Sequence, residues 1–167
     1  MRITAKVDYA VRLCVELAAR GEGGYVKADE LSSAQGVSLA YVLGILNTLK
    51  QAGIVESRRG ADGGTRLAAP ASEIVVADVI RAIDGPLATV GGRLVESVEY
   101  EGRATAVRDV WVALRASLRS VLDTVTLEDV ASGRLPEPAA SLLADDGAWA
   151  TRPHGRDTER AGVRRPS

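Results

Sequence analysis

The sequence predicts a mainly α fold with a small β-hairpin wing: a winged helix-turn-helix followed by a long dimerisation helix. Three observations predict it. A short helical segment closes at Gly36 and is followed at once by a helix that Ser38 can cap. Two short extended runs then flank Gly60-Ala61-Asp62-Gly63-Gly64, a glycine-rich connection that supplies the positive-φ positions of a hairpin. Farther on, Val107, Trp111, Leu114, Leu118, Val121 and Val125 are spaced 4, 3, 4, 3 and 4, the seam of a self-associating helix.

The first helix is expected over about 6–20. Val7, Ala10, Val11, Cys14, Leu17 and Ala18 form its apolar stripe, and Gly21, Gly23 and Gly24 end it. A second helix is expected over 28–35 and a third over 39–52, with Gly53 at its left-handed end. In the third, Val42, Leu46 and Leu49 point to a core with Leu39, Leu43 and Ile45 around them. Strands follow at 54–59 and 65–68, and then a fourth helix at 76–84 with Val76, Val79, Ile80 and Ile83 inward. Gly85 and Pro86 stop that helix. The long helix should run over 104–125, with short helices at 127–132 and 139–144. The expected organisation is therefore a DNA-binding unit at 1–84, a connecting or sensor loop at 85–103, dimerisation and C-terminal helices at 104–144, and a disordered tail at 145–167.

Bulk properties fit one modest domain with appendages: 167 residues, 46% hydrophobic and 26% charged. The net charge of −1 hides an uneven distribution. Residues 1–70 hold nine Lys/Arg against seven Asp/Glu, whereas 71–145 hold seven against twelve, so an acidic middle can mask a mildly basic face. Residues 146–167 carry five arginines against three acids, and the tail could add nonspecific DNA affinity. With a single cysteine, Cys14, no intramolecular disulfide can form. No apolar run approaches a bilayer span and no signal-peptide core opens the chain, so a cytoplasmic protein without membrane contact is expected. There is no nucleophile–base pair, metal-ligand set or phosphate loop; an enzyme is not expected.

The DNA-reading residues follow from the faces of the third helix. Ala40, Tyr41, Gly44, Asn47, Thr48 and Gln51 form a stripe of small and hydrogen-bonding side chains without carboxylates, as an anionic partner requires. A recognition helix sets its N-terminal residues against base edges. Ser38, Ala40 and Tyr41 are the leading candidates, with Gly44, Asn47 and Thr48 behind them. At the hairpin tip, Arg58, Arg59 and Gly60 suit a minor groove, where a guanidinium meets the most negative potential. Gly60, Gly63 and Gly64 would let the backbone pass near phosphates. Arg2, Thr4 and Lys6 are further phosphate-contact candidates.

These pieces together resemble the IscR/NsrR/CymR-type, or Rrf-two, family of regulators. The matching runs are Met1-Arg2-Ile3-Thr4, Asp8-Tyr9-Ala10-Val11-Arg12, Gly36-Val37-Ser38-Leu39-Ala40-Tyr41, Leu49-Lys50-Gln51-Ala52-Gly53-Ile54-Val55, Arg59-Gly60-Ala61-Asp62-Gly63-Gly64, Asp78-Val79-Ile80-Arg81-Ala82-Ile83-Asp84-Gly85 and Asp109-Val110-Trp111. The resemblance covers about residues 1–132. It implies a homodimeric winged-helix protein that binds a palindromic double-stranded DNA operator, usually as a repressor.

The sequence departs from that family in two places. Many members hold an iron–sulfur cluster on three cysteines ahead of the long helix; here 85–104 has no cysteine or histidine. Asp8, where some members supply a carboxylate ligand, has no thiolates to join, so no cofactor and no metal site is expected. In the wing, Thr65 stands where an aromatic is usual, and Leu43 and Gly44 are uncharged, so no operator sequence transfers from a relative. Cys14 remains a redox candidate, but its place on the buried stripe favours packing. The signal could be a small-molecule effector or a partner protein acting on 85–103, or that stretch could equally be packing inherited from a cluster-binding ancestor. A second functional reading is a protein-interaction module on a winged-helix scaffold that has lost specific DNA binding.

Overall fold

In the computed structural model, which describes residues 2–21 and 24–150, Thr4 opens the first helix. Its hydroxyl accepts a hydrogen bond from the Val7 amide at 3.2 Å, satisfying one of the free donors of α1 (Ala5–Ala19). Helix α2 (Ala28–Gln35) ends at Gly36, whose φ of 65° is the left-handed geometry glycine adopts without a Cβ clash. The reversal is tied by Val37 N–H donating to Ser32 O and by Ser32 Oγ donating to Val37 O. Ser38 caps α3 (Leu39–Gln51) through the Tyr41 amide.

Strands β1 (Val55–Arg58) and β2 (Gly64–Leu67) pair antiparallel, with Glu56 opposite Arg66 and Ser57 opposite Thr65. Residue 26 adds a third rung: the Val26 and Thr65 amides each donate to the other's carbonyl, at 2.9 and 2.8 Å. Gly64 is demanded by this pairing, since a Cβ there would lie 2.5 Å from the Val26 carbonyl oxygen. A Cβ at Gly63 would collide with the Arg58 carbonyl. Both glycines therefore serve the wing's own closure, where the sequence suggested room for phosphates.

Helix α4 (Val76–Asp84) follows. Residues 85–103 are more ordered than a loop: β3 (Thr89–Val90) and β4 (Arg93–Leu94) pair across Gly91-Gly92, both at positive φ, and 3-10 turns occupy Val95–Ser97 and Gly102–Ala104. Strands of two residues are too short to announce themselves by alternation. Helix α5 (Val107–Leu122) is shorter at both ends than expected. Helices α6 (Leu127–Ser132) and α7 (Ala139–Leu143) lie close to their predicted bounds. A further 3-10 turn at Asp146–Trp149, with the Trp149 indole N–H donating to Leu143 O, stands where the tail was expected to begin. Gly23 and residues 151–167, which hold the tail's arginines, lie outside the described residues. Among the described residues, no helix is long and apolar enough to cross a membrane.

The core gathers Ala10, Leu13, Cys14 and Leu17 of α1, Leu31 of α2, Val42, Ile45, Leu46 and Leu49 of α3, Val55, Val79 and Leu127. Three findings differ from the sequence reading. Leu13 is buried inside α1's stripe, while Val11 and Ala18 are only half-buried. Leu39 and Leu43 are not at the core margin but open to solvent. Helix α6, grouped by sequence with the long helix, docks on α1: Leu127 is fully buried, its amide donates to Ile74 O, and the Val76 amide donates to Val125 O. Val125 consequently leaves the predicted seam. It lies past the end of α5 and is buried in its own chain.

Because Leu127 fills the DNA-binding core, Leu127→Ala is expected to lower stability by about 3 kcal/mol, read as a shifted denaturant midpoint. A change under about 1 kcal/mol would show that α6 is a peripheral attachment.

Candidate nucleic-acid interface

The outward face of α3 carries Ala40, Tyr41, Gly44, Asn47 and Gln51, all exposed. A Cβ at Gly44 would meet nothing within 4 Å, so nothing nearby in the chain requires its smallness. The Thr48 hydroxyl turns inward and donates to Gly44 O at 3.1 Å. The Tyr41 ring stands edge-on to Tyr9, centroids 5.8 Å apart at 89°. Arg12 lies 4.7 Å over the Tyr9 ring and donates from Nε to Gln35 Oε1 at 2.8 Å. Tyr9 and Arg12 thus brace the start of α3 from α1. Sequence reasoning missed this support, because no local spacing links residue 9 to residue 41.

In the wing, the two arginines separate. Arg58 stacks on Tyr25 at 4.6 Å and donates to Asp62 O at 2.7 Å, while Arg66 approaches the same ring at 4.9 Å. Glu56 accepts from Arg66 Nε at 2.6 Å and from Tyr25 Oη at 2.9 Å. The Arg66 guanidinium, ahead of the Tyr25 hydroxyl, holds the Glu56 carboxyl below the usual carboxylate range. Arg58 is therefore part of the wing's frame. Arg59 and Gly60, beside it, are exposed, and Arg59 makes no ion pair or side-chain hydrogen bond among the described residues.

The N-terminal candidates point elsewhere. The Thr4 hydroxyl, besides capping α1, donates to Asp84 Oδ2 at 3.1 Å, so its hydrogen-bonding capacity is largely used within the chain. Arg2 lines a cleft beside α5, and Lys6 is half-buried.

That cleft, about 800 Å³, runs between α5, the start of α1 and the end of α4 with the residues after it, and is walled by Val7, Ile80, Leu87, Trp111 and Leu118. Helix α5 buries none of its residues. Val107, Trp111, Leu114, Leu118 and Val121 all face the cleft. The helix is anchored by polar contacts: Arg81 bridges Asp78 and Asp123 at 3.1 and 2.6 Å, Trp111 Nε1 donates to Tyr100 Oη at 3.2 Å, and Arg115 pairs with Glu96.

A helix-turn-helix joined to an arginine-bearing hairpin is matched by the comparisons with known proteins. A family profile, Rrf2, described as an iron-dependent transcriptional regulator, covers residues 3–133. This chain belongs to the Rrf2 family. It is 48% identical over 155 residues to Rv1287 of Mycobacterium tuberculosis, a protein named only provisionally as an HTH-type transcriptional regulator; the match covers 93% of this chain and 96% of that one. It is 33% identical to the HTH-type transcriptional regulator CymR of Bacillus subtilis, over 79% of this chain and 91% of CymR. The solved structure of that CymR, titled the global cysteine regulator, superposes with a TM-score of 0.68 at 31% identity, covering 80% of this chain and 98% of CymR. T. potens IscR superposes at 0.64 with 27% identity, covering 90% and 97%. The chain is a DNA-binding transcriptional regulator with a winged helix-turn-helix.

The iron in the family's description raises a test of donors, and this Rrf2 chain does not fit a thiolate-held cluster. Its single cysteine, Cys14, is fully buried in the core, and burial pushes the thiol up to about 12. Asp8, the carboxylate candidate, is exposed and paired with Arg12 at 3.4 Å. Among the described residues, no group of three His, Cys, Asp or Glu side chains could hold a metal ion.

Two outcomes follow. Arg59→Ala is expected to weaken DNA binding about tenfold with no change in melting temperature, whereas Arg58→Ala lowers both, because it frees Tyr25 and the wing tip. Equal effects on both readouts would refute the division of labour. Native Cys14 is expected to resist a thiol reagent at pH 8 and to react only in denaturant; rapid labelling of the folded protein would mean an accessible thiolate. The sign of its pH linkage agrees: the folded chain keeps a proton that the unfolded chain releases near 9.0, so this burial weakens the fold as pH climbs from there toward about 12.

Proposed function

We propose that this DNA-binding regulator acts as a homodimer that represses transcription from a palindromic operator, in the cytoplasm and without an iron–sulfur cluster. The observation that carries the reading is the incompletely buried apolar seam of α5 beside a complete winged helix. An apolar row of this length is costly in water, and a second copy is the partner whose matching row is certain to be present. Twofold pairing would set two α3 helices about 34 Å apart, one turn of DNA. Each subunit would then offer Ser38, Ala40, Tyr41, Gly44 and Asn47 to the major groove and Arg59 to the adjoining minor groove. A dimer seated on such a site occludes the same base pairs from other proteins, which supports repression. The absence of accessible thiolate donors supports operation without a cluster.

Sedimentation and selection of genomic fragments test this together. The wild type should sediment as a dimer, select a recurring palindrome, and lose on the order of 10³ in affinity between about 50 and 200 mM salt. Leu114→Glu, on an exposed seam position, should sediment as a monomer and bind the palindrome on the order of 10²-fold more weakly. A wild-type monomer, or a dimer unaffected by the glutamate, would overturn the assignment of the seam.

A further inference from the structure

The recognition helix carries two leucines that the fold does not use. Leu39 and Leu43, one turn apart at the start of α3, leave 43% and 50% of their surface in solvent. The core is filled from another side of the helix by Val42, Ile45, Leu46 and Leu49. From Leu39 to Leu49 the helix has no charged side chain.

That inventory restricts what the helix can read. Guanine is read through its two acceptors by Arg or Lys, cytosine through its amino group by a carboxylate, and adenine by Asn or Gln. Thymine alone offers a methyl group in the major groove, and an apolar side chain is its partner. The first two turns of α3 contain no Arg, Lys, Asp or Glu; the first amide is Asn47 and the next is Gln51, at the far end. Tyr41 is held edge-on by Tyr9. Beside the hydroxyls of Ser38 and Tyr41, which single out no base, the N-terminal half presents Leu39, Ala40 and Leu43, with Gly44 leaving space for close approach.

We infer that Leu39 and Leu43, flanking Ala40, read thymine methyl groups and so fix A·T pairs at the operator positions beneath the first two turns of α3. The inference rests on α3 lying in the major groove. The exposed Arg59 at the wing tip agrees with it, since narrow A·T-rich minor grooves attract arginine most strongly.

The test uses the full chain and the palindrome recovered by genomic selection. Each thymine is replaced in turn by deoxyuridine, which removes the 5-methyl group and leaves every hydrogen-bonding edge intact. At one or more positions per half-site the replacement should weaken binding by about three- to fivefold per methyl. Leu39→Ala or Leu43→Ala should abolish the difference between the two duplexes at the same position, with an unchanged melting temperature because both leucines are exposed. Equal affinity of the wild type for all thymine and uracil duplexes overturns the inference, as does a difference that survives in both leucine variants. Ala40→Asp separates this from failure of the groove placement. A carboxylate set into the major groove should abolish operator binding whatever reads the bases, so a variant that binds like wild type removes α3 from the groove and the inference with it.

Discussion

Packing of α1 against α3, α4 and α6 is the contact on which the rest of the molecule depends. Leu13, Cys14 and Leu17 project from one face of α1 into the space closed by Ile45, Leu49, Val79 and Leu127. Each of these side chains is wholly or almost wholly removed from water, so each aliphatic one contributes about 1.5–3 kcal/mol to the driving force. The same helix carries Tyr9 and Arg12 on its flank, and these brace Tyr41 and the end of α2. One helix therefore both fills the core and sets the attitude of α3. A cysteine suits position 14 because a small apolar group is needed there, and the burial that suits it also removes its reactivity.

The wing is stiffened by a different device. A hairpin of four-residue strands is marginal by itself. Here it gains a third rung at Val26 and a lateral stack in which the Tyr25 ring is approached by Arg58 and Arg66 while its hydroxyl bonds Glu56. The group is solvent-exposed, so its value lies in restricting geometry more than in energy. Its consequence for function is that one arginine of a neighbouring pair is spent on the frame and the other is left outward.

Helix α5 presents the opposite situation. Polar contacts fix it to α4 and to 95–100, but its apolar row looks into an open cleft. The winged helix closes its core within the chain, whereas the apolar row of α5 is only partly covered by it. Backbone groups of Val76, Ile74 and Ala71 pin the segment that joins α5 to α6, so the end of α5 is held although the helix stands away from the core.

The sequence by itself determined the main helices, the wing strands and the winged-helix architecture. Ser38, Gly36 and the glycine-rich hairpin are local signals, and the elements they bound lie within a few residues of where those signals put them. It also determined that thiolate chemistry is scarce, which follows from composition. What only the tertiary structure decided was how neighbours of equal appearance are used. Periodicity shows which residues of α3 could be buried, but the surface available to cover them is finite, and Leu39 and Leu43 were left out. Nothing local distinguishes Arg58 from Arg59 until Tyr25, far earlier in the chain, stacks on one of them. Val125 continued the α5 rhythm, yet its burial depends on how residues 71–76 pack against the turn that holds it. Local propensity acts over a turn of helix or strand; the allocation of burial and of guanidinium contacts is settled between segments distant in sequence, where spacing carries no information.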